Sequence, residues 1–360
     1  MKKKFLYTKT IRSWLLLGLI MLIGQVILGG ITRLTGSGLS ITSWDIITGV
    51  IPPMNKQQWM ELFELYKQTP QFQKINSDFT LKEFKFIYFW EYLHRLWVRS
   101  LGIIFLIPFV IFVVRKKIDI FLIKRLSLVV ILTAITASAG WIMVQSGLVN
   151  RPWVNAYKLT LHFILAILTI AAMVKCIADV YLMENKPKKG QTRFVLILLI
   201  FTFIQLVFAG LMAGMRAGLY YATWPSMNGT FIPQVLLESS NWTWHNLTNY
   251  DRFAFAPALV QFVHRMLAYI LLLLTFFFYH KKRNNVHTSA VKWLTVSYLL
   301  IVFQVFLGIM TLIKIKTGIP LFYGTLHQLV GLLYLISLLF LFFSLRKKIS
   351  IWSKKKLPNG

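Results

Sequence analysis

Gln261-Phe262-Val263-His264-Arg265 restates, 170 residues further along the chain, the phrase Glu91-Tyr92-Leu93-His94-Arg95. Each phrase falls near the start of a long apolar stretch. A second pair, Thr160-Leu161-His162 and Thr325-Leu326-His327, lies 165 residues apart and is placed in the same way. These four histidines decide the reading of the chain as two copies of one histidine-bearing unit. Ionisable side chains inside a bilayer are costly and usually functional. Two duplicated pairs of imidazoles therefore point to two bound metals or two haems.

The material around the histidines is membrane material. Of 360 residues 57% are hydrophobic and 14% charged, and the mean hydropathy is +0.63. A helical span takes about 20 largely apolar residues. Eight stretches qualify, roughly 12–32, 86–114, 126–147, 159–183, 194–215, 255–279, 293–313 and 319–345. The expected fold is an all-α integral membrane protein, its eight transmembrane helices forming two pseudo-symmetric four-helix bundles. Residues 1–183 make the N-terminal half and 184–360 the C-terminal half.

The net charge of +29 is a topology signal. Basic residues cluster in the N-terminal tail (Lys2, Lys3, Lys4, Lys9, Arg12), at Arg115-Lys116-Lys117, at Lys186, Lys188 and Lys189, at Lys281-Lys282-Arg283 and at Arg346-Lys347-Lys348. These are alternate connections and the tails, which the positive-inside rule assigns to the cytoplasm together with both termini. The placement argues against a nucleic-acid partner and for a lipid bilayer, here a bacterial cytoplasmic (inner) membrane. Cys176 is the sole cysteine, so no intramolecular disulfide or thiolate cluster can form. The basic start and apolar run resemble a signal peptide but lack a small-residue cleavage motif, so the segment reads as a retained helix.

The duplication reaches beyond the histidines. Gln25 and Gly30 match Gln205 and Gly210, Trp44 and Gly49 match Trp224 and Gly229, and Gly140 corresponds to Gly308. With the termini inside, the four histidine-bearing helices run from outside to inside. His94 to Val114 covers about 30 Å at the helical rise, roughly the hydrocarbon thickness. All four histidines are thereby expected towards the outer face. The outer connections 34–83 and 216–254 are long and rich in aromatic residues (Trp59, Phe63; Tyr220, Tyr221, Trp224, Trp242, Trp244), as expected of lids lying at the membrane surface.

A haem iron can take two axial imidazoles. His94 with His162, and His264 with His327, would each clasp one porphyrin; zinc or copper would ordinarily add thiolate or carboxylate ligands, which these helices scarcely offer. Arg95, Arg99 and Arg265 stand beside the ligands, where a guanidinium can pair with a haem propionate; membrane-interface snorkelling is the plainer account, but their duplication after His favours the propionate role. Glu91 shares a helical face with His94, while its counterpart Gln261 cannot ionise. A carboxylate there could accept a proton or stabilise developing positive charge, or simply pair with Arg95 or Arg99. The asymmetry implies a reactive first half and a supporting second half. Lys175 and Asp179 are expected to neutralise one another, and His245, His280 and His287, without repeat partners, to be solvated.

These residues bring a family into view. Gly29-Gly30-Ile31-Thr32-Arg33-Leu34-Thr35-Gly36-Ser37-Gly38-Leu39-Ser40, then Trp44, Thr48-Gly49 and Pro52-Pro53, with the two His-Arg phrases, resemble the haem A synthase family over almost the whole chain. The long first loop, with Tyr66-Lys67 and Glu83-Phe84-Lys85, is similar to its proteobacterial and mitochondrial branch. The resemblance implies oxidation of a ring methyl of haem O to the formyl group of haem A by two successive oxidations. It further implies substrate haem on His94 and His162, a haem b on His264 and His327, and Glu91 as the essential carboxylate. Haem O synthase, cytochrome oxidase assembly factors and an unidentified electron donor or acceptor are the expected partners. Two departures stand out: Val98 occupies a place where the family phrase has Gly, and the cysteine pair of another branch is absent. The inserted oxygen could come from dioxygen, after one axial ligand leaves, or from water with Glu91 as base. The rival readings are a dihaem b-type electron carrier, such as a quinol oxidoreductase, and a haem-holding oxidase-assembly protein without catalysis.

Overall fold

The computed structural model describes residues 7–42, 48–148, 151–181, 189–285 and 288–346. Lys2, Lys3, Lys4, Trp44, Lys186, Lys188, His287, Lys347 and Lys348, which enter the sequence reading, lie outside the described residues. In chain order the helices are α1 (Lys9–Leu34), α2 (Lys56–Lys67), α3 (Pro70–Lys74), α4 (Leu81–Val114), α5 (Ile120–Leu148), α6 (Ala156–Tyr181), α7 (Lys189–Gly214), α8 (Gln234–Leu237), α9 (Trp244–Thr248), α10 (Phe255–Lys282), α11 (Thr288–Ile313) and α12 (Leu321–Leu345). Among the described residues there is no β-strand, only an isolated bridge between Met227 and Thr230. Eight of the helices are long and apolar enough to cross a membrane, so the protein is multi-pass.

Helix ends follow local chemistry. The apolar pattern begins near residue 86, yet α4 starts at Leu81, because Thr80 and Glu83 close a reciprocal capping box that satisfies amide donors left open at the first turn. Pro108 is accommodated inside α4, as membrane helices allow. Burial then separates inner from outer helices. Within its most apolar window, α12 is 61% buried and α6 is 50%, against 17% for α4, α5 and α11. Helices α1, α6, α7 and α12 pack on one another in the centre, α4 leans on α1, and α10 packs on both α7 and α11. Where polar groups enter this core they pair across helices, Ser297 with Ser337 and Thr275 with Tyr334, each at 2.8 Å. Lys175 and Asp179 form the expected ion pair, which Arg125 joins.

The long first connection is a folded cap. Tyr66, Phe84 and Phe63 stack in an aromatic cluster. The Tyr66 hydroxyl donates to Gln71, whose amide in turn donates to the Gly36 carbonyl at 2.8 Å. Gly36 has φ +68°, a left-handed conformation that glycine adopts at little cost. This turn aims residues 37–42 back across the head of α4.

Candidate functional site

The second pair of histidines meets across its helices. The rings of His264 (α10) and His327 (α12) have centroids 6.4 Å apart. An imidazole nitrogen bonds a metal at about 2.0–2.1 Å, so two imidazoles on opposite sides of one metal have centroids about 6.3 Å apart. The observed spacing fits one iron between them. His94 (α4) and His162 (α6) lie within electrostatic reach of each other, and the Gly29 position of α1 closes on Nε2 of His94 at 3.3 Å from where a Cβ would stand.

The orientation of the rings comes from backbone carbonyls. Nδ1 of His162 is 2.9 Å from the Thr136 carbonyl, and Nδ1 of His327 is 3.1 Å from the Gln304 carbonyl. Those contacts assign the proton to Nδ1 and make Nε2 the lone-pair nitrogen that would face a metal, the usual arrangement at a metal-binding histidine. In both cases a glycine one turn on makes the approach possible. A Cβ at Gly140 would lie 2.8 Å from Cε1 of His162, and one at Gly308 would lie 3.1 Å from Cε1 of His327.

Glutamine amides complete the second pair. Nε2 of Gln205 is 3.3 Å from Nε2 of His264, and Nε2 of Gln304 is 3.3 Å from Nε2 of His327. Buried atoms without a hydrogen-bond partner occur on these same side chains: Nδ1 of His264, Oε1 of Gln205 and Oε1 of Gln304. Buried polar atoms are normally satisfied, and exceptions call for a bound group. Among the described residues no three His, Cys, Asp or Glu side chains converge. A two-imidazole donor set in an apolar bundle fits haem better than zinc or copper.

Glu91 is 3% exposed and fully engaged. Its Oε2 accepts from the Ser40 amide at 2.8 Å, the Ser40 hydroxyl at 2.7 Å and the Ile41 amide at 2.9 Å. Its Oε1 accepts from Nη2 and Nε of Arg95 at 2.6 and 3.1 Å. Arg95 also donates to the Ile41 carbonyl, and Arg99 to the Gly49 carbonyl. In the other half Gln261 donates to the Tyr221 carbonyl, and Arg265 to the carbonyls of Tyr221, Thr223 and Ser226. All three arginines thus tie the long connections 34–83 and 216–254 to the helices that carry His94 and His264. His245 and His280 are exposed.

Sequence reasoning named the histidines, the arginines and Glu91. It assigned no role to Ser40, Thr136, Gly140, Gln205, Gln304 or Gly308. The repeat offsets of the glycines and of Gln205 were a signal for three of these; the carbonyl contacts have none in a linear sequence.

Comparison with known proteins identifies the family. Residues 12–339 match the COX15-CtaA family, described as cytochrome oxidase assembly protein. A protein of Nitrosospira multiformis named heme A synthase is 38% identical over 353 residues, covering 96% of each chain. One of Flavobacterium psychrophilum with the same name is 35% identical over 336 residues, covering 91% of this chain and 95% of its own. A third, of Parvibaculum lavamentivorans, is 38% identical over 320 residues, covering 88% and 89% respectively. With paired membrane histidines along eight apolar helices and relatives aligned over nearly their full length, the chain belongs to the haem A synthase family.

Proposed function

We propose that this protein is an oxidoreductase that converts haem O to haem A, taking the ring methyl to a formyl group in two successive oxidations. The observation that carries the reading is the occurrence of four histidines on membrane-spanning helices with a single asymmetric carboxylate. His94 and His162 would hold the substrate, and His264 and His327 a resident haem b, which would supply one-electron transfer when bound. The halves 1–183 and 184–360 would correspond to these two sites. The protein would lie in the bacterial inner membrane with both termini cytoplasmic and both sites towards the outer face.

The chain's own residues define what else the site does. Thr136 and Gln304 fix the ring orientation of one ligand in each pair. The cap over α4, held by Arg95 and Arg99, limits water at the first site. Glu91 is the group able to accept a proton at Oε2, after yielding one of its present donors. A carboxylate base of this kind contributes about 10²–10⁴ in rate. Beyond tying the cap to α4, the buried Glu91 against a neutral Gln261 gives the first site an ionisable group that the second lacks, and that difference favours the enzyme over an electron carrier or a passive haem holder. Haem O synthase, assembly factors and an electron partner would be its associates.

The test is pigment extraction from protein purified out of cells that make haem O. Haem A or its hydroxylated precursor is expected; haem B alone would overturn the proposal. Glu91→Gln should retain haem and lose at least about a hundredfold in conversion, and full conversion by that variant would remove Glu91 from the mechanism.

A further inference from the structure

Gly102 lies in α4 with no atom within 4 Å of the position a Cβ would take. Its repeat counterpart in α10, Leu272, packs against the buried cluster that includes Leu271 and Leu338. Gly102 is about 12 Å along the helix from His94 and turned about 80° around it at 100° per residue. The other flank of α4 is taken by α1, where Trp97 donates to the Met21 carbonyl and Phe105 stacks on Trp14. Gly102 therefore lies off the flank of α4 that α1 fills.

The α4–α5 side is open. Helices α10 and α11 pack together, with Tyr279 stacked on Tyr298 at 4.5 Å and 7°. Helices α4 and α5 have no comparable packing. No residue from 130 to 146 of α5 is buried, whereas the corresponding part of α11 buries Ile301 and Leu307. Yet α5 still meets the site, since Gly140 touches His162. Between α4 and α5 the first half thus lacks the packing that closes the second half, and Ile103 and Leu106, one residue and one turn on from Gly102, are exposed.

Resting on the function proposed above, we propose that the α4–α5 seam is a lateral port for the long hydrocarbon side chain of the porphyrin substrate. Haem O carries such a chain and haem B does not. Hydrocarbon gains nothing by crossing water, and an opening between α4 and α5 lets the ring reach the site while the tail remains among lipid or apolar side chains. The sealed second half would retain a tailless haem.

The port is tested by titrating purified protein, its second site filled with haem b, with haem O and separately with haem B. Gly102→Phe should weaken haem O binding on the order of tenfold and leave haem B binding unchanged. Gly102→Ala should preserve both, and retained haem b reports an intact fold. Wild-type affinity of Gly102→Phe for haem O, or an equal loss for both haems, would overturn the port. Failure of the wild-type protein to make haem A would instead sink the catalytic reading, because the affinities do not depend on turnover.

Discussion

Gly140→Ala separates a positioned ligand from one that is merely present. The added Cβ would stand 2.8 Å from Cε1 and 3.1 Å from Nδ1 of His162. Ordinary carbon contact begins near 3.4 Å, so the ring must retreat by about 0.6 Å. Its bond to the Thr136 carbonyl, 2.9 Å in the native protein, would then lengthen to about 3.5 Å, outside the useful range. Loss of such an outer-shell bond costs about 10–100-fold in metal affinity, or about 1.4–2.7 kcal/mol. Alanine is also the better helix former, by about 1 kcal/mol, so lost haem could not be blamed on a weakened α5. The companion variant is Gly308→Ala, where the nearest contact is 3.1 Å and Nδ1 is 3.6 Å away; a smaller shift of about 0.3 Å would stretch the His327 bond to the Gln304 carbonyl from 3.1 Å to about 3.4 Å, so its loss should be no larger than that of Gly140→Ala. Haem titration of both variants, followed by the low-spin bis-imidazole spectrum, reads the difference. The reasoning is refuted if Gly140→Ala binds as the native protein does, or if Gly308→Ala loses more.

His264→Ala and His327→Ala should each empty the second site and leave the first titratable; a single substitution that abolishes both spectra would show the pairing to be wrong. Arg265→Lys replaces a fork that reaches three carbonyls with a point charge, so the 221–226 segment should loosen by about 2 kcal/mol. Limited proteolysis should then cut there roughly thirtyfold faster, and an unchanged rate would contradict the stapling role. Burial pushes the Tyr66 hydroxyl up to about 12 from 10.0, so the unfolded cap ionises first. Its contribution is complete below pH 10 and is lost as pH rises towards 12. Exchange protection of residues 56–76 should fall across that window in native protein and stay flat in Tyr66→Phe.

Much of the molecule was legible because membrane helices announce themselves by length and composition, and because the His-Arg phrase occurs twice. The eight stretches match the eight long helices with end shifts of a few residues. Caps such as Thr80–Glu83 lie outside the apolar pattern and account for part of that shift. The folded cap was less legible: α2 and α3 are short, and their hold on Gly36 depends on Gln71, a residue with nothing distinctive about its type. At the site, four candidate ligand histidines could be read from spacing, while the orientation of their rings could not. Thr136 and Gln304 act through main-chain oxygens, which every residue has, and Gly140 and Gly308 act by lacking a side chain. Gln205 was visible as a repeat of Gln25, but its proximity to His264 needs the packing of α7 on α10.

The five hydrogen bonds to Glu91 have a kinetic consequence. A carboxylate with both oxygens occupied is a base held in reserve, since it cannot take a proton until Ser40, Ile41 or Arg95 lets go. Turnover at this site would then include a small opening of the segment after Gly36, on the microsecond-to-millisecond scale of such motions. Its rate would follow solvent viscosity and the hold of Gln71 on that turn, and replacing methyl hydrogens by deuterium would slow it little. The cap would serve as a clock as well as a cover.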